Sequence, residues 1–306
     1  MKTLLTTLLL LTIISTHKAQ TFGNEWINNN QSYYAFPIAQ DGIYKIDYAT
    51  LQASGVPLTG YFSSRIQIIG REEEIPLMMI DGGDNSFDPG DYFLFIAKGN
   101  DGWLDKTIVP NPTKLANPGY SLISDTVFYY YTWGSGIQGK RFSLTNDPNY
   151  NSYVPVNFVE KTIYSKYSAA YVDGYKYDQA LGSIYADGEG YGLYELGSVT
   201  GSFLNISIPT PQPYLGNSFS PRIEIRSSAN SNASSTGAFN HHLKVGVGAN
   251  NTVIVDTSFN NYRQIIANKT LSINDLSANN TNLKYEIVGD VGATVDRQVL
   301  TYFELT

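Results

Sequence analysis

Between residues 199 and 305 apolar side chains return at every second position, and this alternation constrains the fold more than any other feature of the chain. Leu204, Ile206 and Ile208 alternate with polar neighbours, as do Ile223 and Ile225, and Leu243, Val245 and Val247. The segments Thr252–Val255, Tyr262–Ala267, Leu283–Val288 and Val299–Leu305 continue the series at short spacing. Successive side chains of an extended strand point to opposite faces, so a period of two gives each strand one buried and one solvated face. About seven or eight such strands fit a β-sandwich of jelly-roll-like form over residues 198–306. Ser227–Gly237 and Ala278–Asn282 are its polar connecting loops.

The first half is β-rich as well, which makes the predicted fold class mainly all-β, in two β-rich domains. Tyr33–Pro37 has the look of an edge strand, and Asp41–Tyr48 is a turn followed by an alternating strand. Asp47–Ser54 predicts a short helix capped by Asp47 or Thr50, ending near Gly55 with Pro57 beyond it. Strands follow at Arg65–Gly70, at Ile75–Ile80 after the Arg71–Glu74 turn, and at the aromatic run Thr126–Gly134. The series reads as a meander closing around Val154–Glu160, a first domain of residues 20–160.

The most polar turn of that domain is Asp81–Asp91, which leads into Tyr92–Ile96, a run with the composition of a buried strand. Asp81, Asp84, Asp88 and Asp91 are candidate calcium ligands, because calcium takes six to eight oxygens that short-spaced carboxylates and loop carbonyls can supply. The spacing does not match an EF-hand, and turn formation accounts for every Gly, Asp and Pro of the loop without a metal.

Residues 1–19 read as a secretory signal: Lys2, the apolar run Leu4–Ile14, and Ala19 before Gln20 as the cleavage point. That run is too short for a good membrane-spanning helix and no later segment is a candidate, so the expected location is exported, in the periplasm or on the outer cell surface. The chain contains no cysteine, which removes disulfides, lipoprotein attachment and cysteine-dependent catalysis by this chain alone. Without Lys2 and Lys18 the chain keeps 18 basic against 27 acidic residues, about −9, a balance that argues against a nucleic-acid partner.

One motif order is familiar. Asp41–Ile46, Gln67–Gly70, Ile75–Leu77, the acidic loop with Gly90–Phe95, and Tyr131–Gly134 followed by Gly139–Arg141 resemble, in sequence, the N-terminal region of one family. The family is the gingipain-like (C25-type) cysteine peptidases of Bacteroidetes, in particular the sortase of the type IX secretion system (PorU-type). Asp296–Leu305 is similar to the strand that precedes the peptidase domain there. The resemblance implies a non-catalytic N-terminal module linked to maturation and surface attachment of secreted proteins. Its implied partners are a C-terminal peptidase domain or type IX secretion components and cargo proteins. No catalytic residue carries over.

Eight tyrosines fall within residues 164–194, interleaved with Asp173-Gly174 and Asp187–Gly190. They either serve as an aromatic platform for a glycan or an extended polypeptide, with Tyr175 and Tyr177 as the candidate binding residues, or pack over the two domains as a connecting segment, residues 161–197. The first option supports a rival reading of the chain as a cell-surface glycan-binding protein. His241 and His242 are adjacent on a predicted strand and so point to opposite faces, which makes a shared metal difficult and a structural role the simpler account. No G-x-S-x-G occurs and neither histidine has a recognisable nucleophile beside it, so a hydrolase finds no support.

Overall fold

The computed structural model describes residues 23–306 apart from 59, 61, 135, 137, 176–184 and 217–218. The chain forms two compact units, one running through Gly99 and including Thr126–Thr145, the other made of Asn100–Asp125 and Asn146–Thr306. The mainly all-β expectation holds, with antiparallel sheets in both units.

In the first unit β1 (Tyr34–Ile38), β7 (Val127–Trp133), β3 (Ile66–Gly70) and β4 (Glu73–Ile75) lie side by side in that order. A second sheet runs β2 (Gly42–Asp47), β6 (Tyr92–Ala97), β5 (Met78–Ile80). The meander is therefore replaced by two sheets. The expected single strand Ile75–Ile80 is divided at Pro76, which lacks the N–H a continuous ladder needs. Helix α1 (Tyr48–Ala53) begins as predicted, with the Asp47 carboxylate accepting from the Thr50 amide at 2.9 Å.

Ile38, Ile66, Ile68, Phe93, Phe95, Tyr129 and Tyr131 meet between the two sheets with Leu51, Leu77 and Phe87. Their rings pack offset: Phe93 stacks on Tyr131 at 6.2 Å and Phe36 meets Phe95 edge-on at 5.9 Å. Gly70 lies opposite Tyr129 in the ladder, and that ring occupies the space a Cβ on residue 70 would fill.

The second unit is a jelly roll. One sheet runs β11 (Leu196–Ser198), β18 (Asp296–Leu305), β13 (Arg222–Ala229), β16 (Gln264–Thr270). The other runs β12 (Ser202–Pro209), β17 (Asn280–Ile287), β14 (His241–Val247), β15 (Thr252–Phe259). Consecutive strands exchange sheets, except at the β14–β15 hairpin, and the two inner faces close over Ile225, Leu243, Val245, Leu283, Tyr285 and Phe303. Each alternating segment of the sequence is one of these strands.

Two stretches take part in ways their sequence does not signal. The tyrosine-rich segment contributes β8 (Ile163–Tyr164), which extends the β18 ladder, and the antiparallel pair β9 (Ala170–Asp173) and β10 (Glu189–Gly192). Together with β11 it is a working part of the sandwich. Residues 100–125, expected within 20–160, are held in the second unit by Arg226, whose Nη1 donates to the carbonyls of Thr113 (3.1 Å) and Leu115 (2.7 Å). Helix α2 (Asp105–Ile108) braces this stretch, the buried Asp105 carboxylate accepting from Leu122 N and Ser121 Oγ.

Candidate functional site

The acidic turn is held by its own hydrogen bonds. Asp81 accepts from Ser63 Oγ and, at 3.1 Å, from the Gly83 amide; Asp84 accepts from Ser86 N at 2.8 Å. Asp91 accepts from the Asp88 amide at 2.8 Å, while Asn85, in the left-handed region at φ 62°, accepts from Ser64 N. Each carboxylate except that of Asp88 thus satisfies a nearby donor, as turn chemistry prescribes. Among the described residues no group of three or more His, Asp or Glu side chains is placed to hold a metal ion.

Of the two candidate binding tyrosines, Tyr177 lies outside the described residues, as do residues 1–22, where the expected signal falls. Tyr175 is half-buried and its amide donates to Asp187 O at 2.8 Å. The neighbouring rings turn towards one another: Tyr191 takes Tyr171 edge-on at 5.0 Å and Tyr120 at 5.5 Å. The Tyr171 hydroxyl donates to Glu189 Oε1 at 2.5 Å, and burial followed by that bond raises its pKa far above the usual phenol range.

The strand alternation separates the histidines as expected. His241 is fully buried, with Nδ1 at 2.6 Å from Asp296 Oδ1 and Nε2 at 2.9 Å from the Ser231 carbonyl. Asp296 also accepts from His242 N and from Gln298 Nε2, so one buried carboxylate organises the end of the sandwich. His242 faces outward between Asp256 and Asp290.

Sequence reasoning missed an exposed apolar sheet face. Phe93, Phe95 and Ala97 of β6 point into the core, which leaves Tyr92, Leu94 and Ile96 on the other face. Cross-strand register puts Ile43 against Ile96, Leu94 between Lys45 and Met78, and Tyr92 beside Ile80. Ile43, Ile96 and Met78 are 74%, 54% and 50% exposed. Lys45 lays its ammonium over the Tyr92 ring at 4.4 Å, and Asp47 stands opposite Tyr92 in the ladder, so the face carries six apolar or aromatic side chains flanked by two charges. The signal was in the sequence: Tyr92–Ala97 is apolar at both parities, which a strand solvated on one face does not require. In the second unit Phe158, stacked on Tyr214 at 4.4 Å and edge-on to Phe219 at 5.0 Å, lines an open cleft of about 930 Å³.

These features define a class: an all-β chain of two units, the second a jelly roll, with an uncovered apolar sheet face on the first. Among solved structures the chain is similar to dimeric latent PorU from Porphyromonas gingivalis, at a TM-score of 0.50 and 13% identity over 89% of this chain. The match covers 24% of that protein, so the chain spans about a quarter of its length. The likeness is one of fold, and it agrees with the resemblance read from the motif order. The C-terminal carbohydrate-binding module of LamC from Zobellia galactanivorans (16% identity, 48% of this chain and 99% of that one) gives a TM-score of 0.23. Tandem carbohydrate-binding modules of a Streptococcus pneumoniae glycoside hydrolase (9% identity, 79% and 71%) give 0.27, and neither score carries a fold argument. No protein-family model and no curated protein matches the chain.

Proposed function

We propose that this chain is a non-catalytic interaction module of an exported, sortase-like (gingipain-like) protein, serving maturation and surface attachment of type IX secreted proteins by binding other proteins. The observation that carries the reading is the bare face of β2, β6 and β5. A contiguous apolar surface on a folded unit marks an interaction site, and this one is built on rigid strands with a core directly beneath it. The fold shared with a quarter of PorU supports the choice of partner: a peptidase domain of the same protein class, or a component or cargo of the secretion machinery. Lacking cysteine, the chain is not itself a cysteine peptidase. Among the described residues no helix is long and apolar enough to cross a membrane.

Pull-down with immobilised residues 20–306 tests the proposal. Retention of a PorU-type peptidase domain or of a secretion component from the source organism supports it, and capture of neither removes its basis. The rival glycan reading has its own test in a glycan array probed with the same protein, where binding lost on replacing Tyr175 and Tyr177 would favour it.

A further inference from the structure

His242 sits on β14 with a carboxylate on each ring nitrogen. Its Nδ1 is 2.7 Å from Asp290 Oδ1 and its Nε2 is 2.8 Å from Asp256 Oδ1. Asp256 belongs to β15, whereas Asp290 belongs to the loop between β17 and β18. Ionised carboxylates only accept hydrogen bonds, and a neutral imidazole has one N–H and one lone pair. Both contacts therefore exist together only while the ring carries two protons.

The loop that Asp290 anchors has further ties, beginning with Val288 N to the His242 carbonyl at 3.1 Å. It pairs with residues 234–237 through the bridge Ser235–Ala293, and by Thr236 N to Gly292 O (3.1 Å) and Thr294 N to Ser234 O (2.9 Å). Ser235 Oγ adds a bond to Val291 O at 2.5 Å. Asp256 has a second cation, Lys244 Nζ at 3.4 Å. Of the remaining charged groups nearby, Asp296 accepts the His242 backbone amide and has its carboxylate engaged by His241 and Gln298, and Glu286, opposite Lys244 in the ladder, is bonded to Lys284 at 2.8 Å.

We propose that His242 is a proton-operated latch: as an imidazolium it ties the β17–β18 loop to the β14–β15 hairpin through Asp290 and Asp256, and on deprotonation it releases the loop. When the ring gives up one proton, the nitrogen left with a lone pair faces a carboxylate. Asp256 is fixed on the strand β15, whereas Asp290 lies on a loop with its side chain 57% exposed and can turn to solvent, so the contact that opens is the one to Asp290.

The operating range follows from the environment. Burial alone lowers the basicity of His242, but the hydrogen bonds to Asp256 and Asp290 outweigh it and raise its pKa above the ordinary 6.5. A group raised in the folded state contributes stability that is complete below its unfolded value and lost as pH rises through the folded one. The hydrogen bond from His242, ahead of Lys244, holds Asp256 below the usual carboxylate value, which keeps the latch closed into acid until the carboxylates protonate.

Two readouts on the intact chain test this, with the His242 ring resonances assigned by their loss in H242Q. The ring should titrate above the ordinary histidine range. Amide protection factors of Thr236 and Thr294, corrected for intrinsic exchange, should fall several-fold over that same interval. In D290N the step should vanish with protection retained, because an Asn amide can donate to a neutral ring nitrogen. A ring that titrates at or below the ordinary value, protection that stays flat through its titration, or an equal step in D290N would each overturn the latch. The first two are wild-type measurements and stand even if D290N folds poorly.

Discussion

His241 and His242 are consecutive residues with opposite surroundings, and the strand beneath them is the reason. Alternation alone assigns one ring to the interior and one to the outside, and this much was legible in the sequence. Their partners were not: Asp296 and Asp290 lie about fifty residues further along, and only the β17–β18 return brings them back to β14. Asp296, 1% exposed and bonded to His241, His242 and Gln298, is the polar residue on which the end of the sandwich depends most. Removing one partner of a buried pair strands the other, at a cost of about 3–5 kcal/mol. Asp296→Ala should therefore lower the unfolding free energy by that order in urea titrations, and a loss under about 1 kcal/mol would contradict the assigned role. Gly70 makes a similar point about space. Gly70→Ala pushes a methyl into the Tyr129 ring and should cost about 1–3 kcal/mol, read the same way.

Strands were legible where one face is dry and the other wet, since the burial period then writes itself into the sequence. The alternating segments of the second unit were found for that reason, apart from β18, whose Val299–Phe303 are buried on both faces, and helix α1 was found from its cap and from the Gly55 and Pro57 beyond it. Strand β6 misled because it is apolar at both parities, which suggests burial on both faces, whereas only Phe93, Phe95 and Ala97 are fully buried, Tyr92 and Leu94 are half-buried and Ile96 is exposed. The two faces should respond differently to substitution. Phe95→Ala should cost about 3–5 kcal/mol, the range for truncating a buried aromatic. Ile96→Thr should change stability by less than about 0.5 kcal/mol, because the side chain already faces water. Equal effects in chemical denaturation would mean that the outer face is covered in the free protein. The acidic turn before β6 has the carboxylates of Asp81, Asp84 and Asp91 engaged by nearby donors, so the melting temperature of the chain should be the same in calcium and in chelator. A rise with calcium would instead establish Asp81, Asp84, Asp88 and Asp91 as ligands.

At the scale of the molecule, the sequence indicated two β-rich parts and a sandwich, but neither the strand order nor the division of the chain. Strand order in a jelly roll is set by which edges remain free as strands exchange sheets, and no local pattern encodes that. Residues 100–125 were assigned to the first domain for a related reason: what ties them to the second unit is Arg226 on β13, more than a hundred residues away. The two units support one functional account, a stable scaffold that offers an apolar sheet face to another protein. Its most direct test is calorimetric titration of residues 20–306 into a PorU-type peptidase domain, wild type beside the I43T/I96T variant. The account predicts saturable binding by the wild type and at least a tenfold weaker interaction for the variant, about 1.4 kcal/mol, at unchanged stability. Equal affinity of the two proteins, or no heat of binding for either, would contradict it.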